Sequence, residues 1–152
     1  MNNALLLSSD IKSSIIQELH DKGCSCILYS CGKKLYFDNR GVMDLFQLLT
    51  ECPELMQDAF VADKVIGKGA AALMCAGGVC EVYTDIISQP ALDLFDVHNV
   101  SVEYDSCVPN IINRTGTDIC PVEKLCLPLD NDIEACVAII SKFIASIRSK
   151  MS

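Results

Sequence analysis

Two stretches of the chain gather the residue types that chemistry needs. Asn113-Arg-Thr-Gly-Thr117 sets one cation, Arg114, and three neutral hydrogen-bonding side chains, Asn113, Thr115 and Thr117, around Gly116, and Cys120-Pro-Val-Glu123 follows closely. Cys120 falls at the N-cap of a short helix, Pro121 at its first position and Glu123 at its third, where a missing N–H and an acid are favoured. A helix start lowers the cost of a thiolate. Cys120 is therefore a candidate nucleophile, and Glu123 either repels its thiolate or takes its proton. The same residue types also make a plain helix cap over a buried cysteine, and both readings stay open.

The second stretch is Gly67-Lys-Gly69, between the carboxyl end of a central strand and the start of a helix. Ligands of open α/β sheets bind outside the carboxyl ends of strands, and free N–H groups at a helix start attract anions. Gly67 and Gly69 let a ligand approach the backbone, and Lys68 supplies positive charge. A Walker A loop is excluded, because Ala62 stands where its first glycine belongs and Gly69 follows the lysine where Ser or Thr is required. The plainer reading is a tight turn with a solvated lysine. Lys68 and Arg114 are expected to converge on one pocket within about 10 Å, the reach of a small ligand. Asp63 and Lys64 interrupt a buried strand, and Asp63 is expected to satisfy backbone donors beneath the Gly67-Lys-Gly69 turn. As strand neighbours, the two point to opposite faces.

Metal chemistry finds little support. The ten cysteines include no CxxC; the closest spacings are Cys24-x-Cys26, four residues between Cys26 and Cys31 and between Cys75 and Cys80, and five between Cys120 and Cys126. His20 and His98 stand apart from any cysteine pair. A zinc site needs closely paired ligands, so no metal and no cofactor is expected. A chain rich in Ile, Leu, Val and Ala has a core of its own, and its cysteines read as reduced, small core residues.

Twelve basic against twenty acidic side chains give a net charge of −8, which opposes a nucleic-acid partner. No apolar run approaches the roughly 20 residues of a membrane span, and the apolar patch near Met1 lacks the basic lead of a signal peptide. A cytoplasmic protein is expected, with a small molecule as its partner and its oligomeric state open.

The elements that must position these residues follow from periodicity. Ser8 or Ser9 caps a helix carrying Ile11, Ile15, Ile16 and Leu19, ending near Gly23. Cys26–Tyr29 and Lys34–Phe37 form a hairpin, and a helix opens at Gly41 and stops before Pro53. Phe60–Ile66 is a buried strand, Ala70–Cys75 a helix closed by Gly77-Gly78, Val79–Tyr83 a strand, Pro90–Val97 a helix, and Val100, Val102 and Tyr104 mark a fifth strand. A short helix starts at Pro121, and Asn131 with Glu134 caps the last helix, whose stripe runs from Ile133 to Ile147. The series predicts one domain over residues 1–152, a three-layer α/β/α sandwich with a mixed five-stranded sheet.

This order of elements, with Ala62-Asp-Lys-Val-Ile-Gly-Lys-Gly-Ala-Ala71, Gly77-Gly-Val-x-Glu-Val-Tyr83 and Asn113-Arg-Thr-Gly-Thr117…Cys120-Pro-x-Glu123, resembles a bacterial and archaeal family. It is a domain of unknown function placed in the cytidine-deaminase-like fold, and the resemblance implies that fold. True zinc deaminases carry HxE and PCxxC, which supply the zinc ligands and the proton shuttle. Here Asn39-Arg-Gly-Val42 and Gly67-Lys-Gly-Ala70 stand at those places, so zinc-dependent deamination is not expected. The expected function is binding of a small anionic or nucleotide-like ligand at the strand carboxyl ends, without zinc. The alternatives are a metal-independent enzyme with Cys120 as nucleophile and a thiol redox sensor.

Overall fold

Local sequence sets most element boundaries. In the computed structural model, which describes residues 8–38, 42–113 and 115–151, the first helix, α1 (Ser9–Lys22), starts where the Ser8 hydroxyl accepts the Ile11 N–H at 3.3 Å. It ends at Gly23, whose φ of 72° lies in the left-handed region that closes helices. Strands β1 (Cys26–Ser30) and β2 (Lys33–Phe37) are joined by Cys31 and Gly32, both at positive φ, as the tightest hairpin turn demands. The hairpin thus runs one residue further at its tip than the sequence suggests, because Ser30 pairs with Lys33.

The chain continues through α2 (Met43–Glu51), β3 (Phe60–Ile66), α3 (Lys68–Gly77), β4 (Glu81–Ser88), α4 (Gln89–Val97), β5 (Ser101–Val108), α5 (Pro121–Cys126) and α6 (Ile133–Met151). Gly41, the expected opening of α2, lies outside the described residues. The fourth strand extends well past the predicted Tyr83, and Asp132 rather than Asn131 caps α6. The Asp132 carboxylate accepts the Ala135 N–H at 3.1 Å and its carbonyl the Cys136 N–H, while the Asn131 carbonyl meets the His98 ring.

The five strands form one mixed sheet in the order β2-β1-β3-β4-β5. β1 is antiparallel to both neighbours, whereas β3, β4 and β5 run parallel. Successive strand residues point to opposite faces, and β1 divides accordingly. Ile27 packs with Ile15 and Leu19 of α1, while Cys26 and Leu28 join the larger core built with α2 to α6. One helix therefore covers one face and the remaining helices the other. Most of the apolar burial, including Met74, Phe95 and Ile140, lies on the α3 side.

Candidate functional site

β1 begins at Cys26, directly opposite Asp63 in the middle of β3. Beyond that point the strand pairing ends, and the Lys64 N–H donates to the Ser25 carbonyl at 3.1 Å. The sheet therefore opens along the carboxyl half of β3, the end of a strand at which ligands of open α/β sheets bind. A cleft of about 580 Å³ fills this opening. Ser25, Cys26 and Phe37 border it from the hairpin, Val42, Asp44 and Leu45 from α2, Asp63 to Val65 from β3, Gly67, Gly69 and Ala70 from α3, and Ile111 to Asn113 with Cys120 to Glu123 from the final loop.

Asp63 is the buried carboxyl of this cleft. It is 9% exposed, and its Oδ1 accepts the Val65 N–H at 3.3 Å. Burial drives its pKa up from 3.8 to about 7, against the backbone N–H groups of Val65 and Lys64 and the Cys26 thiol, which favour the charged form. Burial, and then the charge of Asp63, push the Cys26 thiol well up in turn. Asp63 does hold backbone donors, but those of its own strand rather than of the Gly67-Lys-Gly69 turn. Asp63 and Lys64 both border the cleft, because it runs along the carboxyl half of β3 and not over a single pleat face.

Glu123 closes the far wall. The carboxylate is 1% exposed and takes three donors: the Lys68 N–H at 2.7 Å and the Ser88 hydroxyl at 2.8 Å on Oε1, and the Ile111 N–H at 2.6 Å on Oε2. It thus fills the anion position at the start of α3 from within the protein. Gly67 makes room for this contact, since a Cβ there would stand 3.0 Å from Glu123 Oε1 and 3.2 Å from Ile111 Cγ1. Gly69 is tighter still, with Val122 Cγ1 2.3 Å from where a Cβ would be.

The two stretches singled out in the sequence meet here, but not through the expected side chains. Lys68 is the first residue of α3, not part of a loop; its side chain is 4% exposed and donates to the Leu127 carbonyl at 3.4 Å, away from the cleft. The helix has already fixed its direction, so it brings no charge to the opening. Arg114 lies outside the described residues. Asn113 borders the cleft, whereas Thr115, Gly116 and Thr117 form an exposed loop closed on Asn113. In that loop the Asn113 carbonyl accepts the Gly116 N–H, and its side-chain oxygen accepts the Thr115 hydroxyl at 3.1 Å and the Thr117 N–H at 3.0 Å. Cys120 sits half-buried on the cleft wall and caps α5 by position alone, with no hydrogen bond from its thiol to the helix. Its N–H donates to the Ile111 carbonyl at 2.8 Å, which holds the loop shut.

His20 and Tyr83 belong to the opposite face of the sheet. His20 Nε2 lies 2.8 Å from Asp85 Oδ1, and the Tyr83 hydroxyl donates to the same oxygen at 2.7 Å. Among the described residues no three His, Cys, Asp or Glu side chains gather as a metal ion requires, and no helix is long and apolar enough to cross a membrane. Ser25, Asp44 and Ile111 line the cleft but were not singled out by their sequence context, whereas Asp63 was, as an acid inside an apolar strand.

Residues 14–144 match the domain of unknown function DUF1893. The chain belongs to the DUF1893 family. The crystal structure of a DUF1893 family protein (TM1506) from Thermotoga maritima is 26% identical, with a TM-score of 0.83 over 93% of this chain and 95% of that one. The α/β architecture of the DUF1893 chain is thus shared across nearly its whole length. No curated protein matches the chain.

Proposed function

We propose that this DUF1893 chain is a binding protein for a small, nitrogen-bearing ligand held in the cleft between β1, β3 and α5. The observation that carries the reading is the Asp63 carboxyl, buried yet bordering a cleft of about 580 Å³. That size falls within the few-hundred to about 1,000 Å³ range of small-molecule sites. A carboxylate only accepts hydrogen bonds, so the complementary ligand brings N–H donors. Phe37, Val42, Leu45, Ile111 and Ile112 offer apolar contact for a flat body. An amino-substituted heterocycle, the base of a nucleotide-like ligand, has both properties. The anionic character first expected loses its support with Lys68 turned inward; among the described lining residues Lys64 is the cation, beside Asp44, Asp63 and Glu123.

A cytidine-deaminase-like arrangement belongs to the same reading. Its supports are the order of helix, hairpin and alternating elements and the cleft at the carboxyl end of β3. Mass spectrometry under native conditions tests the proposal on protein purified without added ligand. A copurifying amine-bearing small molecule held by the native chain and lost from Asp63→Asn is the expected result. Equal retention by both proteins would remove Asp63 from the site.

A further inference from the structure

The two edges of the sheet are built differently. β2, at one edge, carries Lys33 and Lys34, and lysine is the residue type most used to keep an exposed edge from pairing. β5 forms the other edge, pairing with β4 on one side, and among the described residues no strand lies on its outer side. Ser101–Val108 therefore presents an 8-residue row of backbone donors and acceptors to solvent. The strand contains neither lysine nor proline, and it keeps one register with β4 along its whole length, so no bulge turns the edge away. Ser101 and Glu103 to Cys107 are exposed, Tyr104 by 42%, and α1 packs instead on Ile27, Phe60 and Ala62 of β1 and β3.

Charge selects the partner. Between Lys68 and Arg114 the chain has six acidic residues and no lysine or arginine, so this stretch, less than a third of the length, holds most of the net charge of −8. Glu81 meets Lys12 of α1 and Asp85 meets His20, but among the described residues Glu103 and Asp105 join no ion pair. Successive strand residues alternate, so Glu103 and Asp105 share one face and Tyr104 lies on the other. A second copy of β5 would set carboxylates against carboxylates, which destabilises a strand pair. The β2 edge of a second copy would offer Lys33 alone, since Lys34 is held by Glu18 at 2.7 Å.

We propose that the β5 edge is a docking site for a basic, extended segment of a partner protein, which joins the sheet as one further strand. In this mode of recognition backbone hydrogen bonds supply affinity and alternate side chains supply selectivity. Lysine or arginine at every second position meets Glu103 and Asp105, and an apolar residue between them lies beside Tyr104 on the other face. No β5 residue borders the cleft, so docking does not depend on the ligand proposed there.

An octapeptide alternating lysine and valine, titrated into the native chain and followed by amide hydrogen exchange, tests the proposal. Exchange of the outward-facing β5 amides is expected to slow while that of β2 stays unchanged, and binding is expected to weaken as salt is raised. Glu103→Gln with Asp105→Asn is expected to weaken binding by roughly tenfold, the combined scale of two exposed ion pairs, and to leave the fold intact because both side chains are exposed. The same peptide, N-methylated on the nitrogens that face β5, keeps its charge but cannot donate, and is expected to give no protection. Equal binding by the N-methylated peptide, or equal protection of β5 by a glutamate–valine peptide, overturns the proposal. No protection of β5 by the lysine–valine peptide overturns it as well. Protection of β5 that rises with protein concentration alone makes a second copy the occupant, and that result too contradicts a basic partner.

Discussion

The carboxylate of Glu123 accepts the backbone N–H of Lys68 at 2.7 Å, so a side chain from α5 fills the place at the start of α3 where an anion would bind. One residue thereby ties α3, the Ile111 loop and, through Ser88, the start of α4. Replacing Glu123 with alanine leaves three donors without their acceptor. A loss on the order of 3 kcal/mol or more is expected in urea unfolding, given about 1–3 kcal/mol for each unsatisfied buried group and incomplete additivity. Glu123→Gln also destabilises, because its amide NH₂ faces donors; stability unchanged in both variants would show that the contact carries no weight.

Close packing between α3 and α5 yields a second prediction. A Cβ at position 69 would stand 2.3 Å from Val122 Cγ1, so Gly69→Ala costs about 1–3 kcal/mol despite the better helix propensity of alanine. Trimming the partner relieves the clash. In a double-mutant cycle, Gly69→Ala with Val122→Ala is expected to be less destabilised than the sum of the two single changes; strict additivity would place the strain elsewhere.

The raised pKa of Asp63 makes stability depend on pH. Between 3.8 and about 7 the folded chain keeps a proton on Asp63 that the unfolded chain has released. Raising pH through this window therefore favours unfolding, and the Asp63 contribution is lost progressively up to pH 7. About three pKa units correspond to roughly 4 kcal/mol at most. Asp63→Asn removes this dependence, so the stability of the native chain relative to Asp63→Asn should fall between pH 4 and 8. A difference constant across that range would contradict the burial account.

Much of the fold was legible in the sequence because its signals are local. The Ser8 cap, the Gly23 stop, the Phe60–Ile66 strand and the α6 stripe each depend on neighbours within a few residues. Side-chain direction was not legible. Lys68 reads as a loop cation until Gly67 proves to be the N-cap, after which the first turn of the helix aims Lys68 into the core. Glu123 reads as a partner for Cys120 three residues away, yet its hydrogen bonds run 55 residues back to Lys68 and 35 back to Ser88. Asp63 was visible as an anomaly, but its exposure to a cleft depends on where β1 begins, which only strand pairing reveals.

Cysteine accessibility gives a further expectation for the cleft. Cys120 borders it half-buried, whereas Cys26 lies buried beside Asp63. Brief alkylation of the folded protein should label Cys120 before Cys26, and an occupied cleft should slow labelling of Cys120 without affecting Cys31, which lies on the β1–β2 hairpin turn. Protection of Cys31 and not Cys120 would put the ligand elsewhere.

We propose that Asp63 receives a nitrogen-bearing ligand in the β1–β3 opening. Chemical-shift mapping by NMR, with a panel of amino-substituted heterocycles and with inorganic phosphate as the contrasting anion, tests it most directly. Heterocycle-induced shifts are predicted at Ser25, Asp63, Val65 and Asn113, with affinity rising as pH increases through about 7 and the carboxyl becomes free to accept, and with the response lost in Asp63→Asn. Shifts at these residues with phosphate alone, or heterocycle binding unchanged in Asp63→Asn, would contradict the account.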